Sequence, residues 1–251
     1  NSAAAVVVDE QARRGYIQSW NLTLEKQLKN GWLVGAGYVA TRSIANLTSF
    51  NANWSDLGTG SAGQILRQRF GRTAATSYHG VVGTGKYDSL QMRAQRRFAA
   101  GFQMNTSYTF GKSLGYTGEE SGAGLTVNHP LYLDKNYGPT GQDRRHNFQL
   151  SGIYELPFGK GKNMLTDGVG AAILGGWQIN AIYSAYSGRP SRAAANGAQL
   201  NSAGSSQYAD CLGPVAKVGE RTRWWDPANL AQPTGVRFGT CGMNTRRGPG
   251  L

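Results

Sequence analysis

Tyr16-Ile17-Gln18-Ser19-Trp20-Asn21-Leu22-Thr23-Leu24-Glu25-Lys26-Gln27-Leu28-Lys29-Asn30-Gly31-Trp32-Leu33-Val34-Gly35-Ala36-Gly37-Tyr38 alternates apolar and polar side chains on both sides of an Asn-Gly dipeptide. Tyr16, Trp20, Leu22, Leu24 and Leu28 share one parity, and Ser19, Asn21, Thr23, Glu25 and Gln27 share the other. A period of two is the signature of a strand whose faces meet different surroundings. Asn-Gly supplies the positive φ angles that a two-residue hairpin turn requires. After the turn, Trp32, Val34, Ala36 and Tyr38 line one face, with Gly35 and Gly37 between them.

Two more hairpins repeat the pattern. In one, Leu90, Met92, Ala94 and Phe98 alternate with Ser89, Gln91, Arg93, Gln95 and Arg97. Ala99-Ala100-Gly101 turns the chain, and Phe102, Met104, Thr106, Tyr108 and Phe110 then alternate with Gln103, Asn105, Ser107 and Thr109. In the other, which begins near Arg144, Phe148, Leu150, Tyr154 and Leu156 alternate with Asn147, Gln149, Ser151 and Glu155. Its turn, Pro157 to Gly175, has room for a short helix around Val169 to Leu174. The return strand sets Trp177, Ile179, Ala181, Tyr183 and Ala185 against Gln178, Asn180 and Ser184.

Each strand has about 11 residues, the length that crosses a bilayer when tilted. Connections within hairpins are mostly short. Those between them, Ser43 to Lys86, Ser113 to Asp143 and all that follows Ser187, are long and read as loops. Short turns at one end and long loops at the other describe an outer-membrane barrel, with the short turns periplasmic. The expected fold is therefore all-β: an antiparallel transmembrane β-barrel, present as a partial barrel of about six or more strands, where the smallest complete barrels have eight. A soluble β-sandwich would show the same alternation. Strand length and loop asymmetry favour the barrel.

On that reading Asn21, Thr23, Glu25, Gln91, Arg93, Asn105, Gln149 and Asn180 face the lumen. Trp32, Phe98, Phe102, Phe158 and Trp177 lie beside the short turns and form one aromatic girdle; Tyr16, Tyr38, Phe110, Phe148 and Tyr183 form the other. Lys26 and Arg96 fall on the apolar parity near the periplasmic end, where long side chains snorkel to the headgroups.

Composition agrees. Only 16% of the 251 residues are charged and 36 are glycine. No apolar run is long enough for a membrane-spanning helix. The chain starts and stops in mid-pattern and reads as a fragment. Its net charge of +12 is spread over strands and loops. No arginine-rich helix, zinc-finger spacing or RNA-binding motif accompanies it, so nucleic acid is not an expected partner. Loops close to lipopolysaccharide phosphates account for the charge as well.

The quoted strand also carries a resemblance. Tyr16 to Leu22 resembles the YxQxWNL strand of TonB-dependent receptors with an Oar-like β-barrel. Tyr87-Asp88-Ser89-Leu90-Gln91, Ser107-Tyr108-Thr109-Phe110-Gly111-Lys112-Ser113 and Asp143-Arg144-Arg145-His146-Asn147-Phe148 resemble further motifs of that family, in order. So do Tyr154 to Gly161, Leu174 to Gln178, Ser187-Gly188-Arg189-Pro190 and the closing Arg247-Gly248-Pro249-Gly250-Leu251. The resemblance implies a barrel of about 22 strands, outer-membrane lipid and lipopolysaccharide as surroundings, a plug domain, and coupling to the TonB system through parts not in this chain. It names no substrate-binding residue.

Sites for chemistry are few. Gly80-Val81-Val82-Gly83-Thr84-Gly85-Lys86 matches the first part of a P-loop, but Tyr87 replaces the Ser or Thr that would hold Mg²⁺. The segment also leads into a strand instead of a helix. His79, His129 and His146 lack partners at metal-ligand spacing, and Glu119-Glu120 is a weak calcium candidate. No nucleophile elbow appears. No catalytic residue, metal or cofactor is expected, and the chain does not read as an enzyme. Cys211 and Cys241, the two cysteines, lie in the last predicted extracellular loop; an even number in an oxidising compartment favours a disulfide, against two free thiols. The expected function is TonB-dependent transport of an unidentified substrate, with a passive porin-like channel or a surface adhesin as alternatives.

Overall fold

The computed structural model describes residues 3–116, 125–203, 206–220 and 222–250. A short strand, β1 (Ala5–Val8), precedes three long hairpins. The first pairs β2 (Tyr16–Gln27) with β3 (Trp32–Asn51), and the second β4 (Thr76–Ala99) with β5 (Phe102–Gly115). After the two-residue β6 (Gly138–Pro139), the third pairs β7 (His146–Glu155) with β8 (Gln178–Tyr186). The long strands form one antiparallel meander in sequence order, β2-β3-β4-β5-β7-β8. Among the described residues, nothing pairs with the outer edge of β2 or of β8.

The turns follow from local chemistry. Asn30 and Gly31 have φ of 59° and 76°, and Ala100 and Gly101 have 51° and 76°. Asn tolerates this left-handed region and Gly has no Cβ to oppose it. The third turn holds a short helix, α2 (Gly168–Leu174).

The register keeps the two parities apart. Leu22 faces Tyr38 and Tyr38 faces Leu90; Leu90 faces Phe110. One row on, Leu24, Ala36, Met92, Tyr108, Phe148 and Ala185 are successive partners. This apolar face is exposed in the isolated chain: Leu22 and Leu24 are 68% and 72% accessible. Such a surface has no place in water and suits lipid.

The strands differ from the sequence reading at their outer ends. Ser43 to Lys86 is not all loop. β3 continues to Asn51 and β4 starts at Thr76, so the pair reaches well past a bilayer. The register shifts between Ile44 and Asn46 and again before Thr48, and Ala45 has φ 58°. Each bulge reverses the side-chain parity, so simple alternation ends there although pairing does not. The connection that remains carries a short helix, α1 (Ile65–Phe70). Where β5 no longer borders β4, β1 pairs in parallel with Thr76 to His79.

Buried side chains concentrate outside the sheet. Val127, Tyr208, Ala209, Cys241 and Met243 form the hydrophobic cluster; Val127 lies between β5 and β7, and the other four follow β8. The long loops are thus a packed assembly of short elements. They include the paired strands β9 (Pro190–Ser191) with β14 (Arg246–Arg247), β10 (Ala194–Ala195) with β11 (Gln207–Tyr208), and β12 (Asp210–Cys211) with β13 (Leu230–Ala231).

Candidate functional site

The polar face of the sheet is a continuous wall. One row runs Thr23, Gly37, Gln91, Thr109, Asn147, Tyr186, and the next Glu25, Gly35, Arg93, Ser107, Gln149, Ser184. A third contains Gln27, Leu33, Gln95, Asn105 and Ser151, paired to Ile182. Asn21 pairs with Val39, and Asn180 with Ile153. All eight residues expected on the lumen face therefore share one face. Ile182, 88% exposed, and Ile153 are apolar interruptions that alternation did not single out.

Glycine shapes this wall. Arg93 and Glu25 stand on strands that flank β3, and their side chains form an ion pair across it. Gly35 lies between them; a Cβ there would meet Arg93 Cγ and Glu25 Cγ, each at 3.3 Å. Gly37 plays the same part beside Thr23, whose Oγ1 would lie 2.6 Å from an added Cβ. The result is a shallow concavity of about 350 Å³ lined by Thr23, Glu25, Gln91, Arg93 and Thr109 among others.

The apolar face has defined ends. At the turn end, Trp32 pairs with Arg96, whose guanidinium lies 5.0 Å from the Phe102 ring centroid. Arg96 is thus drawn toward the turns, while Lys26 is exposed opposite Val34. Phe102 meets Tyr154 edge-on, Phe98 is exposed, and Trp177 donates its indole N–H to Ile173 O at 2.8 Å. Phe158 bridges to Met164 inside the third turn. At the other end, Tyr38 donates to Asp88 at 2.5 Å and Arg42 to the same carboxylate at 2.7 Å, with Arg42 5.1 Å from the Trp20 ring. Charge returns to this face within two residues of the last aromatic row, as expected where hydrocarbon gives way to headgroups.

The loop assembly is tied by polar groups. Cys211 and Cys241 form a disulfide with Cα atoms 5.1 Å apart. Cys211 lies in the small β12–β13 ladder within the loop that follows β8. Arg237 clamps Asp210 with both terminal nitrogens, at 2.8 and 2.5 Å, and holds its carboxyl below the usual carboxylate range. His129, fully buried, donates from Nε2 to Ser55 O at 3.1 Å and accepts at Nδ1 from Leu131 N at 3.2 Å. That pattern requires the neutral ring, and burial lowers its pKa from 6.5. Asn136 gives and takes hydrogen bonds with the Val127 backbone. Sequence reading passed over Asn136 and Arg237, because isolated polar residues in a loop carry no periodic signal.

Of the other candidates, the P-loop-like segment Gly80 to Lys86 lies wholly within β4, so no helix N-terminus is present to meet a phosphate. His79 is in the same strand, and His146 Nδ1 lies 2.7 Å from the Tyr108 hydroxyl. Among the described residues, no three His, Cys, Asp or Glu side chains cluster as metal ligands. Glu119 and Glu120 lie outside the described residues.

The whole sequence, residues 1–251, matches the family described as outer membrane beta barrel domain. The chain belongs to that family. Its place is the outer membrane, and its sheet is part of a barrel wall. No curated protein matched the sequence. The crystal structure of the outer membrane transporter YddB from Escherichia coli is similar in fold, with TM-score 0.50 and 11% identity, over 81% of this chain and 25% of that one. The chain thus spans about a quarter of that structure's length.

Proposed function

We propose that this chain is a sector of the wall of a TonB-dependent transporter and has no catalytic role. The observation that carries the reading is the sheet itself: six long strands in meander order with both outer edges unpaired among the described residues. Six strands are too few to close a barrel, since about eight are the minimum. Open edges inside hydrocarbon leave backbone groups unsatisfied, at a cost of several kcal/mol each. Further strands must complete a larger barrel, and a large barrel has room for a plug. The motif series from Tyr16 to Leu251 supports the TonB-dependent assignment, and the likeness in fold to a quarter of one outer-membrane transporter structure supports a sector of a wall. The polar wall around Gln91, Arg93 and Thr109 would face the plug or the solute.

Conductance and uptake separate this from a passive channel. The full-length protein in planar bilayers should be closed, and its uptake activity should depend on the inner-membrane energy coupler. Steady ion conductance with the whole protein present, and uptake indifferent to the coupler, would instead assign a porin.

A further inference from the structure

Near the outer ends of β5 and β7, Pro139, Arg145 and residues between Cys211 and Arg247 line an open cavity of about 670 Å³. Its lining includes Arg145, Arg246, Trp225, Thr240, Asn244 and Thr245, and among the described residues no carboxylate lines it. Arg247 also borders it, but that side chain is committed to Asp143.

Arg246 is only partly committed. One terminal nitrogen points at the disulfide, 2.9 Å from Cys211 Sγ. Its Nε and its other terminal nitrogen are buried and have no hydrogen-bond partner. The indole nitrogen of Trp225 is in the same condition. Three buried donors without acceptors on two side chains of one cavity are costly, most of all on a charged group. The Arg246 side chain as a whole is half-buried, and this desolvation lowers its pKa. Thr240 and Thr245 add hydroxyls to the same lining, while the Asn244 amide nitrogen already donates to Pro139 O at 2.7 Å.

We infer that this cavity binds an oxyanion, a phosphate, sulfate or carboxylate group, with Arg246 and Arg145 as its charged anchors and Trp225 as a neutral donor. An oxyanion accepts several hydrogen bonds at once, and arginine's planar fork matches it. The site would give the proposed transporter a preference for anionic solutes. The binding itself does not depend on transport. The same chemistry is offered by the phosphates of lipopolysaccharide, the second source of such a group on the outer surface.

Calorimetric titration tests it. The full-length protein, freed of lipopolysaccharide in detergent at low ionic strength, is titrated with inorganic phosphate and with sulfate. Saturable binding that weakens with added salt is expected. Arg246→Gln and Arg145→Gln should each weaken it about tenfold or more, and Arg223→Gln, on the exposed surface, should not. Arg145→Gln keeps the test valid if Arg246→Gln disturbs the disulfide. Adding lipopolysaccharide then identifies the source: competition with phosphate assigns a lipid headgroup, and its absence a free solute. No binding at millimolar phosphate and sulfate, or equal binding by wild type and both arginine variants, would overturn the site.

Discussion

Arg247 donates to both the carboxylate and the backbone carbonyl of Asp143, 104 positions earlier in the chain. Asp143 is 2% exposed, and its other oxygen accepts from Ser113 N at 2.8 Å. Arg247 also reaches Gly188 O at 3.3 Å. Four of the motifs that carry the family resemblance, those holding Ser113, Asp143, Gly188 and Arg247, thus meet at one point, where β5, β7 and β8 leave the membrane. These motif residues fasten loops to the sheet.

Breaking that junction from one side should be expensive. Arg247→Ala leaves a buried carboxylate without its cation, which costs about 3 kcal/mol, toward the lower end for buried pairs because Arg247 keeps some solvent contact. Asp143→Ala with Arg247→Ala should cost less than the sum of the two single changes. Denaturant unfolding of the four proteins gives the comparison, and simple additivity would show that the pair is not coupled.

The assignment of faces predicts alternating chemistry along β2. Thr23→Cys in the intact barrel should react with a small water-soluble thiol reagent where the plug leaves it wet, and Leu22→Cys should be protected. Leu22→Arg should impair assembly by about 2–4 kcal/mol near the midplane, with Thr23→Arg milder. Equal labelling of the two cysteines in native membranes would mean that β2 does not face lipid as drawn.

The disulfide closes a segment of 30 residues inside the loop assembly. Cys211→Ser with Cys241→Ser should loosen that assembly by about 3–4 kcal/mol on the loop-entropy scale. The β2-to-β8 sheet has its own ladder and should persist. Hydrogen exchange should therefore rise at Asp210 and Thr240 and stay low in β4 and β5. A parallel rise in the sheet would show that loops and wall unfold together.

Acid should act on the loops through His129. Its folded pKa lies below the ordinary 6.5, so between those values the unfolded loop binds a proton that the folded loop refuses. Stability is therefore complete above about pH 6.5 and falls as pH drops toward the folded value. Protonation would also end the bond that Nδ1 accepts from Leu131 N. Exchange at Leu131 should quicken on acidification below about pH 6.5, and His129→Gln should flatten that dependence. An unchanged profile in the variant would place the sensitivity elsewhere.

The strands between their first and last aromatic rows, the two faces, the turns at Asn30-Gly31 and Ala100-Gly101, and the helix after Asp167 were all legible in the residues. The reason is physical: a strand between lipid and water repeats every two residues, and a tight turn needs residues that accept positive φ, as Asn30, Gly31 and Gly101 do. Tertiary structure alone decided the rest. The bulges near Ala45 reverse parity and hide the outer halves of β3 and β4. The meeting of Asp143 with Arg247, the burial of His129 against Ser55 and the unpaired donors of Arg246 depend on segments far apart in the chain. Such contacts leave no period, because partners lie far apart in the chain and no local repeat relates them.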